Sequence, residues 1–261
     1  MTKFFGILLA RQRSGTGALG TVLDKHQELE YTGEVFHPSN IGTRKNYFTY
    51  KRSEIEADIK NFVPSKNIDQ FLNFLEQIKS EKKCPIVDIK YNSLHHLNGD
   101  WHAPADRPLI LNYCISNQLP IVHLTRKNYL AGHISGLLAA ANKVWHARKN
   151  DEISVLDIEV DVSNLVESFQ TIQRNVDLVK HWLGRRHFVT ELEYDEIFDS
   201  EGGLTEQACE SIQDIFDVGQ FLDRFPVFVK QNKVPLHESI KNFDEVCEAL
   251  YSTEFAWMVE I

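Results

Sequence analysis

FFGILLARQRSGTGAL, residues 4–19, decides how the chain is read. Its apolar opening, residues 4–10, has the length of a buried strand and then breaks into Arg11, Gln12, Arg13, Ser14, Gly15, Thr16 and Gly17. Residues 18–26 resume with Leu19, Val22 and Leu23 on one helical face. Strand, small-residue loop and helix together are the physical recipe for an anion site. Loop amides can wrap the anion, and the free N–H groups of the helix point at it with the positive end of the dipole. Arg11 and Arg13 add charge at the rim. The stretch predicts a phosphate or sulfate cradle.

Working outward, residues 84–91 (CPIVDIKY), 119–125 (LPIVHLT) and 188–192 read as further strands, and residues 29–38 as a short strand or extended loop carrying a lone acid, Glu34. Helical spacing runs through 68–80, 108–116, 128–147 and 165–183, and a last helical region follows the Gly202–Gly203 turn. Residues 39–66 read as a loop plus a short helix over the site. Strands separated by helices imply one α/β domain over residues 1–261, a mostly parallel central sheet flanked by helices and joined by right-handed crossovers. Arg13 to Gly17 and Arg126 then fall at the carboxyl ends of strands, where open α/β sheets bind ligands. Two basic sites there suggest a ligand with two separated anionic groups.

Composition narrows the partners. A net charge of −9 over 261 residues argues against nucleic-acid binding, which shows as a basic surface. Cys84, Cys114, Cys209 and Cys247 lack metal-knuckle spacing and read as reduced thiols. No run approaches the length of a membrane span, and the apolar N-terminus lacks a small-residue cleavage pattern, so a cytoplasmic protein is the default. His95, His96, Asp100, His102 and Asp106 suggest a metal site at first sight. The adjacency of His95 and His96 argues instead for a solvated loop facing a polar substrate.

Gly15, Gly17 and Gly20 spell G-x-G-x-x-G, the dinucleotide fingerprint. In that motif the first glycine follows the strand almost directly and a distant acid ends the second strand. Here RQRS intervenes, and Glu34 follows HQELEYTG. A nucleotide triphosphatase would need the lysine of GxxxxGK[ST], which the loop lacks.

Arg13-Ser14-Gly15-Thr16 resembles the phosphosulfate-binding loop of sulfotransferases, Arg/Lys-Ser-Gly-Ser/Thr placed just after the first strand. HLTRKNYLAGHIS, with Arg126 and Ser135, resembles that family's second motif. GEVF at residues 33–36, Trp145-His146, LEYDEI at 192–197 and the tail KQN…IKNFDEV are similar to segments of its bacterial carbohydrate branch, the trehalose type. Gly17 and the Lys143-Val144 pair depart from the usual pattern.

The resemblance implies a donor, 3′-phosphoadenosine 5′-phosphosulfate, and no metal. Arg13, Ser14, Gly15, Thr16 and Gly17 would hold its reacting end, and Arg126 with Ser135 its 3′-phosphate. The acceptor would be a hydroxyl of a carbohydrate or glycolipid, with Glu34 as base and His37 as a substitute. For a carboxylate to serve, its pKa must be raised, here by partial burial near Phe36. Trp145 is either core or beside a substrate, Ser135 could simply pack, Tyr194 begins a turn, and Lys230 and Lys233 could reach donor phosphate or stay solvated. A homodimer is allowed but not required. Two rival readings remain: a NAD-type oxidoreductase and a non-catalytic nucleotide-binding module.

Overall fold

Every residue of β1 (Gly6–Ala10) is buried, which places the strand inside a sheet covered on both faces. The computed structural model describes residues 5–80, 83–99, 103, 105–145, 147–148, 157–228 and 234–260. After β1 the chain forms α1 (Thr16–Lys25), β2 (Leu29–Glu34), α2 (Tyr47–Ala57), α3 (Asn67–Ile78), β3 (Cys84–Lys90), α4 (Leu109–Ser116) and β4 (Ile121–Thr125). There follow α5 (Tyr129–Asn142), α6 (Leu165–Leu183), β5 (Val189–Glu193), α7 (Tyr194–Ile197), α8 (Glu206–Phe216), α9 (Leu236–Ser239) and α10 (Phe243–Leu250). Together they make a single α/β domain around a five-stranded sheet in the order β2-β3-β1-β4-β5, parallel throughout.

Successive side chains of a strand point to opposite faces, and β1 feeds two cores in this way. Ile7 and Leu9 join Val87, Ile89, Phe71, Leu111 and Leu183 on one face. Leu8 and Ala10 join Leu19, Val22 and Leu23 of α1 and Ile212 and Ile215 of α8 on the other. A third core forms where α5, α6 and α10 meet, around Ile134, Phe169 and Val246.

The register decides where the site lies. Ala10 is opposite Lys90 of β3 and Leu124 of β4, while Glu34 of β2 is opposite Asp88. The carboxyl ends of four strands therefore deliver the Arg11–Gly15 loop, Lys90, Arg126 and Glu34 to one edge.

The predicted elements recur, with one helix end moved and one open alternative resolved. The α5 helix stops at Asn142, short of residue 147, because Lys143 turns left-handed (φ 54°) and its N–H closes on the carbonyls of Ala139 and Ala140. The segment at 29–38 resolves into a true strand to Glu34, followed by a 3-10 turn over Pro38–Asn40 that His37 caps by accepting the N–H of Ser39. All four cysteines are free, with Cys114 and Cys209 buried. Among the described residues no helix is long and apolar enough to cross a membrane. Asp100, His102, His146, Lys230 and Lys233, and residues 149–156, lie outside the described residues.

Gly20 of α1 lies flat against the Tyr31 ring of β2, so a methyl group there would collide with the ring. Gly20→Ala is expected to cost about 1–3 kcal/mol through overpacking. Urea denaturation should show a lower midpoint with an unchanged slope, and an unchanged midpoint would mean that α1 and β2 are not tightly seated.

Candidate anion-binding site

Between β1 and α1 the backbone turns left-handed twice, at Arg13 (φ 63°) and Gly15 (φ 87°). Gly15 is required there for two reasons: its φ favours glycine, and a Cβ would run into the ring of Tyr194. Arg13 accepts a conformation uncommon for a residue with a side chain, an outlier of the kind concentrated at ligand sites. Ser14 and Thr16 are only 4% and 6% exposed. No side chain caps the N-terminus of α1, which leaves its first N–H groups and the positive end of its dipole facing the loop.

Three arginines surround this loop. Arg13 donates from Nη2 to Ser135 Oγ at 2.7 Å and to the Ser135 carbonyl at 3.2 Å, and from Nη1 to the Trp145 carbonyl at 3.1 Å. Arg126 donates from Nη1 to the Arg13 carbonyl at 3.2 Å and stacks on Tyr194, 4.7 Å from the ring centre. Arg11 completes the group around a cavity of about 10 Å³ also lined by Ser14, Tyr91 and Tyr129. Among the described residues none of the three arginines has a carboxylate within 4.0 Å. Burial lowers the pKa of each, and Arg126 lowers those of Arg11 and Arg13 further by repulsion. The Nε groups of Arg13 and Arg126 are buried without a partner. Desolvated cations lacking counter-charge are expensive. An anion in the loop would relieve them.

A second cluster adjoins the first. Lys90 Nζ lies 2.6 and 2.8 Å from the two carboxylate oxygens of Asp88, 3.4 Å from Glu34 Oε1, and in hydrogen-bond contact with Thr16 Oγ1. Asp88 also accepts from the Tyr31 hydroxyl at 2.6 Å, and burial together with the Asp88 charge pushes the Tyr31 pKa up. Sequence reasoning missed Asp88, Lys90 and Tyr31. The available signal was the pair of charges in the otherwise apolar strand CPIVDIK.

The expected site residues fall as follows. Arg13, Ser14, Gly15, Thr16, Arg126 and Ser135 come together. Arg13 and Arg126 are in contact, not apart, because β1 and β4 are neighbours. Ser135 is more than a packing residue, since its hydroxyl receives Arg13. Tyr194 does begin a short helix, and its ring also roofs Gly15. Trp145 is 55% exposed and so is not core. Glu34 does not share an apolar pocket with Phe36: its side chain keeps 28% exposure and pairs with Lys90, while Phe36 packs against Phe71 and Tyr47. His37 is exposed and turned toward Ser39, 2.7 Å from its hydroxyl. His95 and His96 stack on each other, and His96 packs on Phe36 and Phe48.

No protein-family model matches the chain, and no curated protein matches it significantly.

Sulfate is expected to raise the melting temperature of the wild type beyond the effect of chloride at equal ionic strength, and Arg126→Met should abolish that difference. Without sulfate, Arg126→Met should be at least as stable as the wild type, because a desolvated, unneutralised charge has been removed. A sulfate-specific rise that persists in Arg126→Met would separate anion binding from this arginine cluster.

Proposed function

We propose that the protein is a sulfotransferase that moves a sulfuryl group from 3′-phosphoadenosine 5′-phosphosulfate to a hydroxyl of a carbohydrate or glycolipid. The observation that carries this reading is the set of three arginines without a carboxylate within 4.0 Å among the described residues, lining one cavity with Ser14 beside the loop that enters the uncapped helix α1, with Arg13 seated on Ser135. The order Arg13-Ser14-Gly15-Thr16, then Arg126 and Ser135, is also that of the two donor motifs the sequence resembles.

In this scheme the loop amides and Arg13 hold the phosphosulfate, and Arg126 and Ser135 take the 3′-phosphate. The acceptor oxygen attacks sulfur as the bond from sulfur to the bridging phosphate oxygen breaks, and the bonding electrons leave with the nucleotide. The acceptor proton passes to Glu34 late, as the bond to sulfur forms and the attacking oxygen becomes more acidic than a carboxylic acid, so a carboxylate paired with Lys90 suffices in place of one buried beside Phe36. Sulfuryl transfer, like phosphoryl transfer, asks the protein mainly for in-line positioning and for charge stabilisation on the leaving oxygen. The 3.4 Å contact between Glu34 and Lys90, and that of Lys90 with Thr16, connect the base to the donor loop.

One observation weighs against a dinucleotide enzyme. The strand order β2-β3-β1-β4-β5 differs from the 3-2-1-4-5-6 order of dinucleotide-binding folds.

Calorimetric titration with adenosine 3′,5′-bisphosphate tests the proposal. Wild type and Glu34→Gln should bind alike, and Arg126→Ala should lose affinity by about 30-fold or more. With labelled donor and a panel of glycans, Glu34→Gln should transfer nothing, and Arg13→Ala should lose roughly 10²–10³ in turnover. Undiminished binding by Arg126→Ala would overturn the donor site. Binding without transfer across the panel would favour a non-catalytic module, and NAD(H) binding without affinity for the bisphosphate would favour an oxidoreductase.

A further inference from the structure

We propose that the Lys90 ammonium is a built-in substitute for a divalent metal ion, a tethered cation seated among Thr16, Asp88 and Glu34 that lets the loop hold its anion without metal. The inference rests on the loop being an anion site, not on sulfuryl transfer.

The cation's surroundings carry the argument. Lys90 Nζ is met by four oxygens from three elements: Thr16 Oγ1 at the start of α1, both oxygens of Asp88 on β3, and Glu34 Oε1 on β2. Hydroxyl and carboxylate oxygens are the ligand set of a hard divalent cation. In nucleotide triphosphatases a magnesium ion is held by the hydroxyl residue closing the phosphate loop and by a separate aspartate. Thr16 stands directly after the loop glycine, Gly15, and Asp88 belongs to the strand beside β1. Lys90 occupies the space between them.

Simple neutralisation of Asp88 explains less. Asp88 is 1% and Lys90 3% exposed in a strand whose next residues, Val87 and Ile89, are fully buried. A buried ion pair of this kind contributes little stability over an apolar pair of similar volume. It also does not account for the reach of Lys90 to Thr16 and Glu34. Tyr31 fixes one Asp88 oxygen at 2.6 Å, which orients the carboxylate for a cation at the position of Nζ. The flexible lysine stem enters from β3, so the charge arrives with the fold and needs no coordination shell of water.

Removing the stem should turn the seat into a metal site. Wild type, Lys90→Ala and the double variant Asp88→Asn/Lys90→Ala are titrated with Mn²⁺, with the free ion followed by electron paramagnetic resonance, and melted with and without Mg²⁺. Lys90→Ala is expected to bind one Mn²⁺ with a sub-millimolar dissociation constant. At cation concentrations 100-fold above that constant, its melting temperature should rise by about 5–10 °C. Wild type and the double variant should do neither beyond weak surface binding. If Lys90→Ala folds only when refolded with Mn²⁺ or Mg²⁺, the proposal is equally supported, since the cation then replaces the missing charge. A Lys90→Ala protein that neither binds nor is rescued by these ions overturns it, as does wild-type Mn²⁺ binding that Asp88→Asn removes. None of these readings involves the nucleotide, so they stand apart from the outcome of bisphosphate calorimetry.

Discussion

Three neighbouring guanidinium groups, with no carboxylate among the described residues within 4.0 Å to pair with them, are the constraint around which this site is arranged. Such a cluster is unfavourable on its own, and Arg13 and Arg126 are held by groups that do not neutralise them. Arg13 is held by a hydroxyl and two carbonyls, and Arg126 by a carbonyl and the Tyr194 ring. Carbonyls and rings orient a cation while leaving its charge available to a ligand. The scaffold that tolerates this is β1, buried along its whole length and feeding apolar cores on both faces.

The sheet register turns separate stretches of sequence into one edge. Two electrostatic clusters meet at the loop. On the β4 side lies the arginine cluster, and on the β2 side Lys90 sits between Asp88 and Glu34. Thr16 belongs to both, as the first residue of α1 and as a partner of Lys90. Two contacts, Thr16 with Lys90 and Lys90 with Glu34, thus connect the loop to Glu34, and in the proposed reading they place the base beside the donor.

Much of this was legible in the sequence. The apolar run before RQRSGTG, the strand-like CPIVDIKY and LPIVHLT, and the helical spacing over 165–183 have close counterparts in β1, β3, β4 and α6. These signals are local, and burial enforces them. The role of Lys90 is not local: residues 16, 34, 88 and 90 meet only through strand pairing, and one lysine at the end of a strand looks like any solvated terminus. The expected partial burial of Glu34 near Phe36 holds only as partial burial, against a different neighbour and for a similar reason. After Glu34 the chain leaves the sheet, so Phe36 enters the aromatic core while the carboxylate turns to Lys90. The end of α5 was misjudged because alanines at 139–141 continue its pattern, whereas the stop is a left-handed lysine that periodicity does not signal.

In the proposed reading the loop after β1 receives a nucleotide's anionic group on its backbone amides, beside Arg13 and Arg126. The most direct measurement is a nuclear magnetic resonance titration of ¹⁵N-labelled protein with adenosine 3′,5′-bisphosphate. The largest shifts are expected at the amides of Ser14, Gly15, Thr16 and Gly17 and at the guanidinium signals of Arg13 and Arg126. Saturable binding that leaves those amides unmoved while shifting residues elsewhere would contradict it.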